Sequence, residues 1–139
     1  LEPGLIFARD ITIDVARTVS HLGEDLRVYA TSALVHDVEM VCRDALLERC
    51  EPGEDSVGTG ISLSHRGSAL AGTSVTITAR VTKVEGRRVQ FECTVRDALE
   101  EISGGTHGRF VVDLDRSRER LAGKRTRLGA QPQVANKAK

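Results

Sequence analysis

Among the side chains able to move protons or attack a carbonyl, Glu39 and His65 stand out by position. On a helical wheel Glu39 falls beside Val35 and Leu46, at the edge of an apolar stripe and away from the charged face. A carboxylate there is costly unless it is paired or poised for proton or acyl transfer. Spacing alone is met more simply by a rim charge capped by an arginine, and that reading stays open. His65 closes a Gly58-Thr59-Gly60 stretch, where a strand end would deliver an imidazole to a helix on the concave face of a sheet. Carboxylate, imidazole and hydroxyl together are the inventory of general-base or nucleophilic catalysis. His107, with Gly105 and Gly108 close by, and His36, on the expected solvent side of the helix, suit structural or surface roles. His65, Glu39 and His107 lack the short ligand spacing of a metal site, so no metal is expected.

These side chains need elements to hold them. Leu34, Val38, Val41, Cys42, Ala45 and Leu46 recur at spacings of three and four, which predicts one long helix over residues 31–50. His36, Asp37, Arg43, Asp44 and Glu48 are assigned to its polar side, Thr31 or Ser32 to its N-cap, and Glu51-Pro52-Gly53 to its stop. Before it, residues 5–15 read as a strand, and residues 16–27 as a loop or short helix lying over a site. After it, Val75, Ile77, Ala79 and Val81 alternate with polar residues, as do Val89, Phe91, Cys93 and Val95, giving a hairpin across Glu85-Gly86. Further strands are expected over 56–66 and, past a turn at 97–100, over 102–114. One helix stripe and one sheet face must cover each other, so this order implies an α+β hotdog fold, a long antiparallel β-sheet wrapped around one central α-helix. Gly58, Gly60, Gly104, Gly105 and Gly108 weaken strands unless backbone has to come close to something. Open sheet edges point to pairing of two protomers with a site between them.

At 139 residues, 40% apolar and 29% charged, the chain has room for one globular domain. We place that domain at 1–114, followed by a basic, partly flexible C-terminal helix or tail at 115–139. With Trp absent and Phe7, Tyr29, Phe91 and Phe110 the only aromatics, the core must be aliphatic, and a nucleic-acid partner read by base stacking is not expected. Net charge is zero, yet residues 115–139 hold eight Lys or Arg, Lys137 and Lys139 among them, against two acids, so +6 faces −6 in the remainder. Such an end is usually solvated; the functional alternative is contact with phosphates. Cys42, Cys50 and Cys93 fit neither a metal pattern nor a disulfide framework and read as buried thiols in a reducing compartment. No run approaches a membrane span and no charged-then-apolar signal opens the chain, so a cytoplasmic protein without membrane partners is expected, with Leu1 marking a trimmed start.

Several stretches together resemble the fluoroacetyl-CoA thioesterase-like members of the hotdog thioesterase superfamily. They are Tyr29-Ala30-Thr31, Val38-Glu39-Met40, Glu51-Pro52-Gly53-Glu54, Val57-Gly58-Thr59-Gly60 with Ser64-His65, Val84-Glu85-Gly86-Arg87-Arg88, and Gly105-Thr106-His107-Gly108-Arg109. The match covers about residues 5–114, and the intervals from Thr31 to Glu39 and from Glu39 to His65 agree with the family's catalytic spacing. The resemblance implies hydrolysis of a small acyl-CoA thioester by Thr31, Glu39 and His65, with the backbone N–H near Gly58 holding the thioester oxygen. It also implies Arg109 as an acyl or CoA contact, a homodimer with two interfacial sites, and no cofactor, CoA being part of the substrate. Relatives that select the fluoroacetyl group carry a longer, phenylalanine-bearing lid; here only residues 23–28 separate His21-Leu22 from Tyr29, so the expected substrate class is a general short-chain or otherwise different acyl-CoA and fluoroacyl selectivity is not implied. A hotdog enoyl-CoA hydratase is the second reading, for which His36-Asp37 is the nearest His and Asp pair, and a non-catalytic acyl-CoA-binding dimer is the third.

Overall fold

Alternating β-branched residues and one 3.6-period stripe sort the chain into strands β1 (Ile6–Thr12), β2 (Thr18–Val19) and β3 (Val28–Tyr29), helix α1 (Thr31–Leu47), strands β4 (Glu54–Leu63), β5 (Ser74–Glu85), β6 (Arg88–Arg96) and β7 (Glu101–Asp113), and helix α2 (Leu114–Leu128). This is a computed structural model, and it describes residues 1–132. The main sheet is antiparallel with order β1-β5-β6-β7-β4, so β1 and β4 are its edges. It curls around α1, whose stripe of Leu34, Val38, Val41, Cys42, Ala45 and Leu46 is buried against the inner residues of β5 and β6. The hotdog arrangement follows from that cover: Val75, Ile77, Ala79 and Val81 are 0–1% exposed, as period-2 alternation requires of a one-faced sheet.

Three local expectations are corrected. The helix has Ala30 at its N-cap with no side-chain cap bond, because the Thr31 hydroxyl is engaged elsewhere. Asp37 is buried rather than solvent-facing, since it sits three residues after Leu34 and four before Val41, inside the stripe. Cys50 is only half-buried, whereas Cys42 and Cys93 lie in the core with Sγ atoms 3.8 Å apart. Of the two roles expected for His107, structural or surface, its burial at 1% exposed fits the structural one.

Residues 16–27 hold parts of two short 3-10 turns (Val15–Arg17 and Glu24–Leu26), with β2 paired to β3 across them. The basic end forms α2, started by the Asp113 carboxylate accepting from the Arg116 N–H and ended by Gly129 at φ 68°, a left-handed cap that favours glycine. Lys137 and Lys139 of the expected tail lie outside the described residues. Among the described residues no helix is long and apolar enough to cross a membrane.

Candidate active site

The middle of α1 turns Glu39 toward β4 and β7. Gly58 lies directly opposite: a Cβ there would stand 2.8 Å from Glu39 Oε2, so a larger residue would displace the carboxylate from this position. Arg109, 4% exposed, approaches from β7 with Nη1 3.6 Å from the same oxygen. Its other donors are committed, Nε to Ser56 Oγ at 2.7 Å and Nη2 to the Ser56 carbonyl at 2.9 Å. His107 fixes the remaining side. Its Nδ1 donates to the Gly60 carbonyl at 2.8 Å, which leaves Nε2 to accept from Arg109 Nη1 at 3.1 Å and defines the neutral tautomer. Burial above all, with Arg109 adding to it, pulls His107 below the ordinary imidazole value; burial likewise lowers Arg109, and the Glu39 charge works against that. The rim charge capped by an arginine is thus realised, but at arm's length. Among the described residues no donor is hydrogen-bonded to Glu39, whose side chain is 34% exposed.

At the other end of α1, the Thr31 hydroxyl and His65 Nδ1 are 2.7 Å apart. His65 is held by its neighbours, since the Ser64 N–H donates to the Gly104 carbonyl and the Arg66 N–H to the Ile102 carbonyl. Thr31 is held from the far side. The Tyr29 hydroxyl donates to Asp37 Oδ2 at 2.6 Å, Arg17 Nε donates to the same carboxylate at 2.9 Å, and the Ala30 N–H donates to the Arg17 carbonyl. Desolvation first, then the Asp37 contact, raises the Tyr29 phenol well above its usual range, and the hydrogen bond to Asp37 raises Arg17. Thr31 and Glu39 are eight residues apart on one helix, roughly 12 Å along its axis. One chain therefore gathers the sequence-derived residues into two pairs, Thr31 with His65 and Glu39 with Gly58, and Arg109 backs the second.

Ser56, His107 and Asp37 are the polar residues of this region that sequence reasoning left out or placed otherwise. The signals were present. His107 and Arg109 stand two apart in β7 and so share a face, and the register Gly58↔Arg109↔Val89 puts that face inward. Glu39, His65 and Thr31 together supply the carboxylate, imidazole and hydroxyl of acyl-transfer chemistry, while β4, as an edge strand, turns alternate N–H groups away from β7. Among the described residues no three His, Cys, Asp or Glu side chains are grouped as a metal site.

The family model for fluoroacetyl-CoA-specific thioesterases (FlK) matches residues 13–115. The fluoroacetyl-CoA thioesterase of Streptantibioticus cattleyicolor is 36% identical over 117 residues, 79% of this chain and 84% of that protein. A solved structure of the fluoroacetyl-CoA thioesterase FlK superposes with a TM-score of 0.81 at 33% identity, covering 89% of this chain and 97% of the other. A thioesterase superfamily member from Thermus thermophilus reaches a TM-score of 0.83 at 26% identity, covering 94% and 97%.

Proposed function

The chain belongs to the fluoroacetyl-CoA-specific thioesterase family, and from that premise we propose that it hydrolyses a small acyl-CoA thioester to the free acid and CoA through Glu39, His65, Thr31 and Gly58. The observation that carries the assignment is a carboxylate packed against a glycine, where a Cβ would displace it, backed by a buried arginine and free of any hydrogen-bond donor among the described residues. Such an oxygen is available to attack. Glu39 acts on the thioester carbon, directly or by taking a proton from water. The carbonyl oxygen, as it gains charge, takes a hydrogen bond from the Gly58 N–H, an interaction of a kind whose loss typically costs about 10²-fold or more in rate. The C–S bond then breaks and His65, hydrogen-bonded to Thr31, passes a proton to the departing thiolate. That proton comes from the water, taken up by Glu39 before attack in the general-base route, or released when water hydrolyses the glutamyl anhydride to the free acid in the direct route. Arg109, its Nη1 3.6 Å from Glu39 Oε2, backs the carboxylate from β7.

The second part of the proposal is a homodimer. Residues 57–62 of β4 are exposed throughout, Val57 at 49% and Ile61 at 37%, although this strand borders the site. An open apolar edge is a template for a second strand. Antiparallel pairing of β4 with its twin, centred on that run, sets Gly58 and Glu39 of one protomer against the far end of β4 in its partner, where His65 and Thr31 follow. Each site then takes its carboxylate from one chain and its imidazole from the other. The short segment at 23–28 supports a small acyl group other than fluoroacetyl, and the free thiols support a cytoplasmic setting. Thiol release measured over a panel of short acyl-CoAs tests the activity. Stoichiometric CoA release by the protein, absent in Glu39→Gln, is expected; hydration of enoyl-CoA without release, or binding without turnover, would overturn it.

A further inference from the structure

Asp37 and Glu39 are two residues apart on α1, roughly 200° around its axis, and so point to opposite sides of the helix. The Asp37 side buries polar groups to which hydrolysis gives no part. Asp37 is 6% exposed and Tyr29 1%. Asp37 Oδ2 accepts from the Tyr29 hydroxyl at 2.6 Å and from Arg17 Nε at 2.9 Å, and Arg17 Nη2 reaches Oδ1 at 3.4 Å. Arg17 is anchored in turn, because its Nη1 donates to Asp14 Oδ2 at 2.8 Å and its carbonyl accepts from the Ala30 N–H at 2.8 Å. The Tyr29 N–H donates to the Ala69 carbonyl at 2.8 Å. The two residues that precede Thr31 are therefore fixed from three places in the chain: the turn at Val15–Arg17, the loop at Ala69 and the second turn of α1 itself.

We propose that Arg17, Tyr29 and Asp37 are positioning residues of the reaction: together they set where Thr31 enters α1 and so hold its hydroxyl on His65. The inference rests on the thioesterase reading above. Thr31 is exposed, so packing does not fix it, and it opens a helix whose N-cap, Ala30, offers no side-chain acceptor. An uncapped first turn is free to fray. The Thr31 hydroxyl nevertheless stands 2.7 Å from His65 Nδ1, and a displacement of about 1 Å at Thr31 would take the pair out of hydrogen-bond range. Stability alone gives no reason for a carboxylate at position 37. It lies in the apolar stripe between Leu34 and Val41, where an apolar side chain would pack without the desolvation that a buried charge costs. What the carboxylate adds is direction: it accepts from two donors, the Tyr29 phenol and the Arg17 guanidinium, that flank the entry of the chain into the helix. The cluster thereby does the work of the missing cap.

The test measures acyl-CoA hydrolysis by the whole protein carrying Asp37→Asn, Tyr29→Phe or Arg17→Met, each alone and combined with Thr31→Ala. In the single variants kcat is expected to fall about tenfold or more with KM within about twofold, because a catalytic pair is loosened while substrate contacts stay. In the Thr31→Ala background the same substitutions should cost less than about twofold, since the group they position is already gone. Arg17→Lys, which keeps a donor, should recover part of the rate lost in Arg17→Met. A cluster that served stability alone would cost the same with and without the Thr31 hydroxyl. That equality, or a loss carried by KM alone, would overturn the proposal. So would an unchanged kcat in Tyr29→Phe, which removes a single hydroxyl and decides the matter if Asp37→Asn fails to fold. A second readout needs no turnover: the ring-nitrogen resonances of His65, followed by NMR, should move in each variant toward their positions in Thr31→Ala, while those of His107 stay. Unmoved His65 resonances would likewise overturn the proposal. Absence of hydrolysis in the unsubstituted protein would sink the thioesterase reading, while the His65 resonances would still decide whether the cluster positions Thr31.

Discussion

A carboxylate 3.6 Å from a buried guanidinium is held in place without being saturated, and that distinction governs what single substitutions should do. Glu39→Gln keeps the shape and loses the charge. Thiol release from acyl-CoA should fall by about 10²-fold or more while the melting temperature stays close to that of the starting protein, because a half-exposed side chain contributes little to the core. Arg109 is the opposite case. It is almost fully buried and satisfies both Ser56 and His107, so Arg109→Ala should destabilise the protein by about 3–5 kcal/mol in denaturant titration as well as impair turnover. His107 gives a pH signature. Its folded-state value lies below the ordinary 6.5, so as pH falls below 6.5 the unfolded chain takes up a proton that the folded chain resists. Stability is therefore greatest above that pH and is lost as pH drops toward the depressed value. His107→Gln should flatten this acid limb of the melting-temperature profile; an unchanged limb would show that His107 is not its source. At this scale the place of Glu39 at the edge of the helix stripe, beside an arginine, was legible from spacing, whereas the roles given to Glu39, His65 and Thr31 came from the family resemblance. The tautomer of His107 was not, since it depends on the Gly60 carbonyl across the sheet.

Elements position these groups by backbone proximity, and two glycines separate the functions of one strand pair. Gly58→Ala would push its Cβ onto the Glu39 carboxylate, the far end of a flexible side chain, so the fold should survive with turnover reduced. Gly105→Ala would drive a Cβ to 1.9 Å from the Ser62 carbonyl oxygen, a backbone atom, and β4 would have to part from β7. Its expected cost is about 3 kcal/mol in equilibrium unfolding. A similar loss from both variants would mean that Gly58 is structural and not a site residue. The hairpin β5–β6 was readable because its two faces differ in polarity, as was the stripe of α1. The N-terminus of α1 misled because Thr31 satisfies the sequence rule for a cap yet bonds His65, and Asp37 misled because a charge within the stripe was assigned outward, although its spacing from Leu34 and Val41 placed it inside.

At the scale of the molecule, the sheet has two largely exposed edges, β1 and β4, and β4 is the one that borders the candidate site. β4 carries six successive exposed residues next to Glu39, and in the dimer we propose, pairing would cover them and close the gap of roughly 12 Å between Thr31 and Glu39 along α1. The strand order and the single-domain size could be anticipated from alternation and length. A site between two protomers was expected from the open sheet edges; what could not be read is the pairing within one chain, because helical spacing says that Thr31 and Glu39 share a face but not that His65 goes to Thr31 alone. Mixing Glu39→Gln protein with His65→Ala protein, each inactive alone, under conditions that allow subunits to exchange, tests the division and the chemistry together. The shared-site account predicts that acyl-CoA hydrolysis returns to about a quarter of the unsubstituted level, one intact site in each mixed dimer. No recovery from demonstrably mixed dimers would contradict it.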